Sequence, residues 1–274
     1  MTYLEAIIFG IVQGVSEFLP ISSTAHVVVT QHILGYQFSG LVFEIFLHVA
    51  SVLAVIIYFR KDLLEVINGF FSYLKSRSSK DRGHFMFGIY ILVATVITGV
   101  LGILLENRVQ DFMKTPTFIA GALTVTGVFL IILERFHRYG FRKEKDMTIL
   151  DAIIVGLAQT IAVLPGISRS GSSLVAALWV GLDRDTAVRY SFLLAIPVIL
   201  GSTVLTFGDV GQEVWSQIGT GPLIASFLSA FIFSVVGIVW LIDFLKRGKL
   251  IYFSIYLFIL AFFVYTFIPE TSFL

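Results

Sequence analysis

The chain predicts an all-α polytopic membrane protein in which six transmembrane helices and two re-entrant helical hairpins form an inverted-topology repeat. Three observations carry that prediction. Hydrophobic residues make up 57% of the 274 and charged residues only 14%, against roughly 45–50% and about 25% in soluble domains. A water-soluble fold of this length has too little interior for that surplus. The apolar residues gather in runs of about the 20 residues needed to cross a hydrocarbon core of roughly 30 Å. Finally, the second half of the sequence repeats the first.

In chain order, the stretch 4–34 is apolar but broken midway by Pro20 and a run of hydroxyl residues. It reads as a helical hairpin that enters and turns back. Spans follow at about 41–59, 87–105 and 117–133. A second broken stretch, 150–180, carries Pro165, Gly166 and Gly171, and spans at about 186–206, 222–242 and 251–268 complete the chain. The spans are apolar all round, as lipid-facing helices are. Irregular backbone at membrane depth is tolerated only where protein or a water-filled cavity surrounds it, so the two breaks mark the place to look for a site.

Basic residues set the orientation. Those of loops 60–86 and 134–149, with Arg184, Arg189, Lys246, Arg247 and Lys249, fall on one side if every span is crossed once. Arg108 and Lys114 fall on the other, and Arg169 lies inside the second broken stretch. The positive-inside rule makes the basic side cytoplasmic, which leaves both termini outside. The first hairpin then dips in from outside and the second from the cytoplasm. Trp179, Trp215 and Trp240 suit membrane interfaces. A net charge of +1 points to no nucleic-acid partner, and the absence of Cys removes disulfides, thiolate metal sites and cysteine nucleophiles. No cleavable signal is expected, because Thr2, Tyr3, Leu4 and Glu5 supply no basic leader.

Shifting the sequence by 146 positions aligns 4–53 with 150–199 without a gap, pairing Gly10 with Gly156, Gln13 with Gln159, Ser22 with Ser168 and Phe46 with Phe192. Each copy holds one hairpin and three spans, an odd number of crossings, so the second is inserted upside down. The expectation is a single integral membrane domain with halves at about 1–135 and 148–274. In such folds broken helices meet near the midplane and form the binding site, which here sets the Pro20–His26 turn against the Pro165–Ser173 turn.

The first turn offers Gln13, Glu17, Ser22, Ser23, Thr24 and His26. Gln13 and Glu17 share a helix face, and a lone carboxylate in hydrocarbon needs a cation, a proton or an arginine as partner. Ser22, Ser23 and Thr24 follow Pro20 at a helix start, where unpaired N–H groups favour an anion. As caps alone they would be unremarkable. His26 gives or takes a proton near neutral pH, although a membrane His also serves as a packing residue. The second turn offers Ser168, Arg169, Ser170 and Ser173. Arg169 brings a planar fork suited to phosphate oxygens, and the serines bring hydroxyl donors. A carboxylate, an imidazole and hydroxyls facing a guanidinium and serines are what phosphoryl transfer needs. Glu44 and His48, four apart on the next span, either line the same cavity or are solvated at its outer interface.

Gln-Gly-Val-Ser-Glu-Phe-Leu-Pro-Ile-Ser-Ser-Thr-Ala-His at 13–26, Leu-Pro-Gly-Ile-Ser-Arg-Ser-Gly-Ser-Ser at 164–173 and Ser-Phe-Leu-Leu-Ala-Ile-Pro at 191–197 resemble the bacitracin-resistance family of undecaprenyl-pyrophosphate phosphatases. The resemblance spans nearly the whole chain. It implies hydrolysis of undecaprenyl pyrophosphate to the monophosphate and inorganic phosphate, aided by a divalent cation, Mg²⁺ or Ca²⁺. Lipid-carrier recycling for cell-wall synthesis, bacitracin resistance, and a plasma-membrane site reached from the outer face go with it. Glu17, Ser23, His26 and Arg169 fall on the positions it makes catalytic, with Ser22, Thr24, Ser168, Ser170 and Ser173 as phosphate-binding candidates. Glu17 and Gln13 fall on its acidic motif as metal ligands, with Gln13 standing where many members have Glu. Its partners would be the polyprenyl pyrophosphate and membrane lipids, with a homodimer left open. Ser23, His26 and water all remain candidate nucleophiles.

Two rivals share some of these features. Inverted repeats with broken helices also build transporters and lipid flippases. Membrane phosphatases of the phosphatidic-acid type use Ser, Arg and His elements, but they need a His after the arginine, and none follows Arg169 here.

Overall fold

The computed structural model describes residues 1–36, 42–106, 115–136, 140–207, 218–248 and 250–269. Arg108, Lys114, Arg138, Trp215 and Lys249 therefore lie outside the described residues. Helices are α1 (Tyr3–Phe18), α2 (Ser23–Leu34), α3 (Val42–Tyr58), α4 (Arg60–Ser76), α5 (Arg82–Glu106), α6 (Pro116–Phe136), α7 (Ile149–Ile161), α8 (Arg169–Trp179), α9 (Arg184–Phe207), α10 (Thr220–Arg247) and α11 (Ile251–Phe267). Among the described residues the only β pairing is an isolated bridge between Arg142 and Leu182.

Helices within α5, α6, α9 and α10 are long and apolar enough to cross a membrane by themselves. A fifth candidate is α3 taken with α4, two helices bent by 76° at Phe59. At 17 residues, α11 is shorter. Apolar stripes stay exposed on the outside of the bundle, such as Leu92, Val96, Val100 and Leu104 along α5. On a protein immersed in water such stripes would drive association; here lipid covers them.

One expectation needs correction. Residues 60–76 form helix α4 rather than loop. Low mean hydropathy hides this helix from a search for spans, but its pattern is amphipathic: Val66 and Phe70 pack on Gly88 of α5, while Leu64, Ile67, Phe71 and Leu74 are exposed. The helix is also tied down ionically, because Arg189 of α9 meets Asp62 at 2.8 Å and Glu65 at 3.4 Å, and meets Glu144 as well.

Residues 146 apart do the same local work. Thr2 and Glu5 form a capping box at the start of α1, and Thr148 and Asp151 form one at the start of α7. Each box satisfies two otherwise orphaned N–H groups. Ser22 and Ser168 are the N-caps of α2 and α8, taking hydrogen bonds from Ala25 and Gly171. Gly35 and Gly181 both adopt positive φ where those helices end, a conformation that glycine reaches without strain.

Close packing of small residues decides which helices meet. A Cβ on Gly10 would lie 2.4 Å from the Ser226 carbonyl oxygen, and one on Gly14 would lie 2.5 Å from that of Ala230, so α1 rests directly on the backbone of α10. Small residues spaced four apart are what let membrane helices approach this closely. Gly156, the counterpart of Gly10, brings α7 onto Ala94 of α5. Further contacts join α3 to α9 and α6 to α11.

Candidate active site

Both apolar stretches break where the sequence places helix stops. The residue before a proline is pushed towards extended backbone, and Leu19 caps α1 at φ −70°, ψ 145° ahead of Pro20. The chain turns through Ser22, which is held at φ 68°, and restarts as α2 at Ser23. In the second hairpin Gly166 takes φ 92° and α8 begins at Arg169. The two tips touch: Ser170 Oγ donates to the Leu19 carbonyl at 3.2 Å, and Gly171 lies against Pro20 closely enough that a Cβ would sit 3.1 Å from its ring.

Glu17 is the centre of the junction and is buried. Its Oε1 receives Arg169 Nη2 at 2.8 Å. Its Oε2 receives Ser23 Oγ at 2.7 Å and Gln13 Nε2 at 2.9 Å, and lies 3.0 Å from His48 Nε2. His48 Nδ1 faces the Glu44 carbonyl at 2.7 Å, where it can only donate. Burying a carboxylate is tolerable only when its charge is paired and its lone pairs are used, and Glu17 meets both conditions.

The remaining candidates divide between junction and periphery. Ser168 Oγ accepts the Gly171 N–H at 3.0 Å and lies 3.2 Å from Ser170 Oγ, while Ser173 Oγ donates back to the Arg169 carbonyl at 3.1 Å. Ser22 caps α2, and Thr24 is half-buried in its first turn. His26 points elsewhere: Nδ1 faces the Ser22 carbonyl and Nε2 faces the Tyr256 hydroxyl of α11, each at 2.7 Å. With Nδ1 donating, Nε2 accepts the tyrosine proton. Glu44 is buried and pairs through Oε1 with Gln31 Nε2 at 2.8 Å, its Oε2 having no partner. Of the pair four apart on α3, His48 therefore reaches Glu17 whereas Glu44 turns to α2. Helical spacing alone placed the two on one face and could not separate them.

A small, partly open cavity lies at this junction. Glu17, Arg169, Ser170, Ser173, Gln159 and Ser191 supply its polar walls, and Phe18, Leu174, Phe192, Ala195 and Leu241 its apolar ones. Two helix N-termini, of α2 and α8, also end here, and such ends favour anions. The donors do not make a resident cation cage. Both Glu17 oxygens are already occupied by donors, Gln13 is neutral and offers only its unpartnered Oε1, and no group of three His, Asp or Glu able to hold a metal exists among the described residues.

The family model described as bacitracin resistance protein BacA matches residues 6–263. The chain belongs to the BacA family. Among its relatives, undecaprenyl-diphosphatase 2 of Halalkalibacterium halodurans is 64% identical over 97% of this chain and 96% of its own. Undecaprenyl-diphosphatase 1 of Shouchella clausii is 53% identical over 97% of both chains. Undecaprenyl-diphosphatase 3 of Bacillus anthracis is 38% identical over 92% and 93%. Both hairpin tips, and with them the whole Glu17 junction, fall inside the stretch matched to BacA.

Proposed function

We propose that this chain hydrolyses undecaprenyl diphosphate to undecaprenyl phosphate and inorganic phosphate, recycling the lipid carrier of cell-wall synthesis and so conferring resistance to bacitracin. The observation that carries the reading is Glu17 held between the Ser23 hydroxyl and the Arg169 guanidinium, in a chain that aligns over nearly its full length with undecaprenyl-diphosphatases. Arg169 spends one nitrogen on Glu17 and keeps further N–H donors for the oxygens of the distal phosphate. Ser23 attacks that phosphorus while its proton passes to Glu17 Oε2. The bond from phosphorus to the bridging oxygen breaks, its electron pair stays on the lipid monophosphate, and water then releases inorganic phosphate from Ser23. His26, engaged by Tyr256, orients the start of α2 rather than attacking. A divalent cation, Mg²⁺ or Ca²⁺, would neutralise part of the charge of the diphosphate.

The membrane arrangement that goes with this reading has six crossings and two re-entrant hairpins, in halves of opposite orientation at about 1–135 and 148–274. Its support is the matching caps at residues 146 apart and the exchange of packing, α1 on α10 and α7 on α5. Both termini lie outside, and the lipid reaches the site from the outer leaflet. No contact in the cavity favours transport over hydrolysis.

The test is phosphate release from undecaprenyl diphosphate by purified protein with Mg²⁺, Ca²⁺ or EDTA, beside Arg169→Ala. Release should fall roughly 10³-fold in the variant, as for removal of a transition-state donor. Absence of release by the parent with any cation, together with lipid translocation in proteoliposomes, would replace hydrolysis with flipping.

A further inference from the structure

Two buried polar groups in the cavity have no use in the reaction just described. Ser191 opens the Ser-Phe-Leu-Leu-Ala-Ile-Pro stretch and is 7% exposed; Gln159 is 2% exposed. Both line the cavity with Arg169, yet Ser191 Oγ and Gln159 Oε1 have no hydrogen-bond partner. Gln13, Glu44 and Ser254 also leave a buried side-chain oxygen unpaired, but none of them lines the cavity. Helix hydroxyls such as Thr95, Thr124, Thr126, Thr160 and Thr203 all donate to the carbonyl four residues back, an option equally open to Ser191. Buried polar groups left unpaired call for an explanation, and a bound ligand group is one.

The geometry points to Ser191 and Gln159 as the receptor for the prenyl-linked phosphate, the leaving group of the reaction. This rests on the diphosphatase reading. Displacement at phosphorus is in line, so nucleophile and leaving group lie on opposite sides of the transferred phosphate. Ser23 sits at Glu17 Oε2 and does not line the cavity, whereas Arg169 sits at Oε1 and does. With the distal phosphate at Arg169, the leaving side is the cavity, whose Phe18, Phe192 and Leu241 suit the first prenyl carbons. The Ser191 hydroxyl donates to the oxygen on which charge develops. Gln159 has a second setting ready. Its Nε2 donates to Thr98 Oγ1 at 3.4 Å, and Thr98 donates to the Gly156 carbonyl at 3.2 Å. That carbonyl also takes Thr160 Oγ1 at 2.9 Å. Turning the amide over lets Thr98 donate to Oε1 and turns the NH₂ towards phosphate, while the Gly156 carbonyl keeps a donor.

The experiment compares product inhibition in the parent, Ser191→Ala, Gln159→Met and Gln159→Glu. The inhibition constant of undecaprenyl phosphate should rise roughly three- to tenfold for the two neutral variants, the range of one lost hydrogen bond, and further for Gln159→Glu. That of inorganic phosphate should stay within about twofold. Ser191→Ala removes an oxygen that bonds nothing in the empty protein, so its thermal midpoint should match the parent's. Unchanged inhibition by undecaprenyl phosphate in all three variants would overturn the assignment, as would a rise confined to inorganic phosphate, which would put the distal phosphate there. Parent protein that releases no phosphate would instead defeat the diphosphatase reading. Direct calorimetric binding of farnesyl phosphate to parent and variants reads the same contact without turnover.

Discussion

At the scale of single residues the molecule turns on the two oxygens of Glu17 and the groups that meet them. Ser23 and Arg169 both depend on that carboxylate but in different ways, and two substitutions separate them. Ser23→Ala removes one hydrogen bond, so stability should change by about 1 kcal/mol while phosphate release is abolished. Glu17→Gln keeps the shape but leaves Arg169 facing a neutral amide, which should lower stability by about 3 kcal/mol and also stop release. Thermal unfolding in detergent beside the turnover assay distinguishes them; equal stability losses would mean that Arg169 does not rely on Glu17. Much of this site was legible in the sequence because charge at membrane depth is costly and therefore conspicuous: Glu17 and Arg169 stand out in any hydropathy reading. His48 did not, since an imidazole near a span end is equally at home in water. Its contact with Glu17 depends on how α3 lies against α1.

The helix pairs explain how a chain with little polar sequence builds a polar junction. Each hairpin starts on a capping box, breaks at Pro or Gly, and restarts on a serine cap, so two helix starts are delivered to one point. In the alignment at 146, Arg169 is the counterpart of Ser23: equivalent positions at the two tips carry opposite chemistry, and Glu17 bridges them. Holding α1 in place falls to Gly10 and Gly14. Gly14→Leu puts side-chain atoms into the Ala230 carbonyl and the Ser234 amide, and overpacking of this kind costs roughly 3 kcal/mol. The variant should lose monodispersity in detergent and turnover together. Gly201→Ala, on α9 where nothing lies within 4 Å of an added Cβ, should be neutral or slightly stabilising, because Ala favours helix over Gly by about 1 kcal/mol. A tolerated Gly14→Leu would refute the close α1–α10 contact. Periodicity could have revealed α4 in the sequence, but a search for 20-residue apolar runs passes over an amphipathic helix whose polar face answers Arg189.

For the whole molecule the open variable is how the bundle sits in the bilayer. The natural absence of cysteine makes single-cysteine labelling clean. Ser79→Cys, beside the basic α4 segment, should react with a membrane-impermeant maleimide only after permeabilisation. Thr220→Cys, exposed at the start of α10, should react in intact cells. Reversed labelling would invert the orientation, and labelling of both from outside would remove the odd number of crossings between them.

By itself the sequence determined the membrane class, the helix breaks, the 146-residue repeat and the polar residues at the two turns. Those are local properties: hydropathy is summed over neighbours, and proline, glycine and serine act on the backbone within a turn. Only the tertiary structure decided that Arg169 and Ser23 take different oxygens of one carboxylate, that His48 joins them while His26 turns to Tyr256, and that Gln159 and Ser191, both lining the cavity, keep one side-chain oxygen each without a partner. Glu17 and Arg169 are 152 residues apart, and a contact across that distance is fixed by which helices can approach closely. Here that rests on glycines whose missing side chains leave room for a neighbouring backbone.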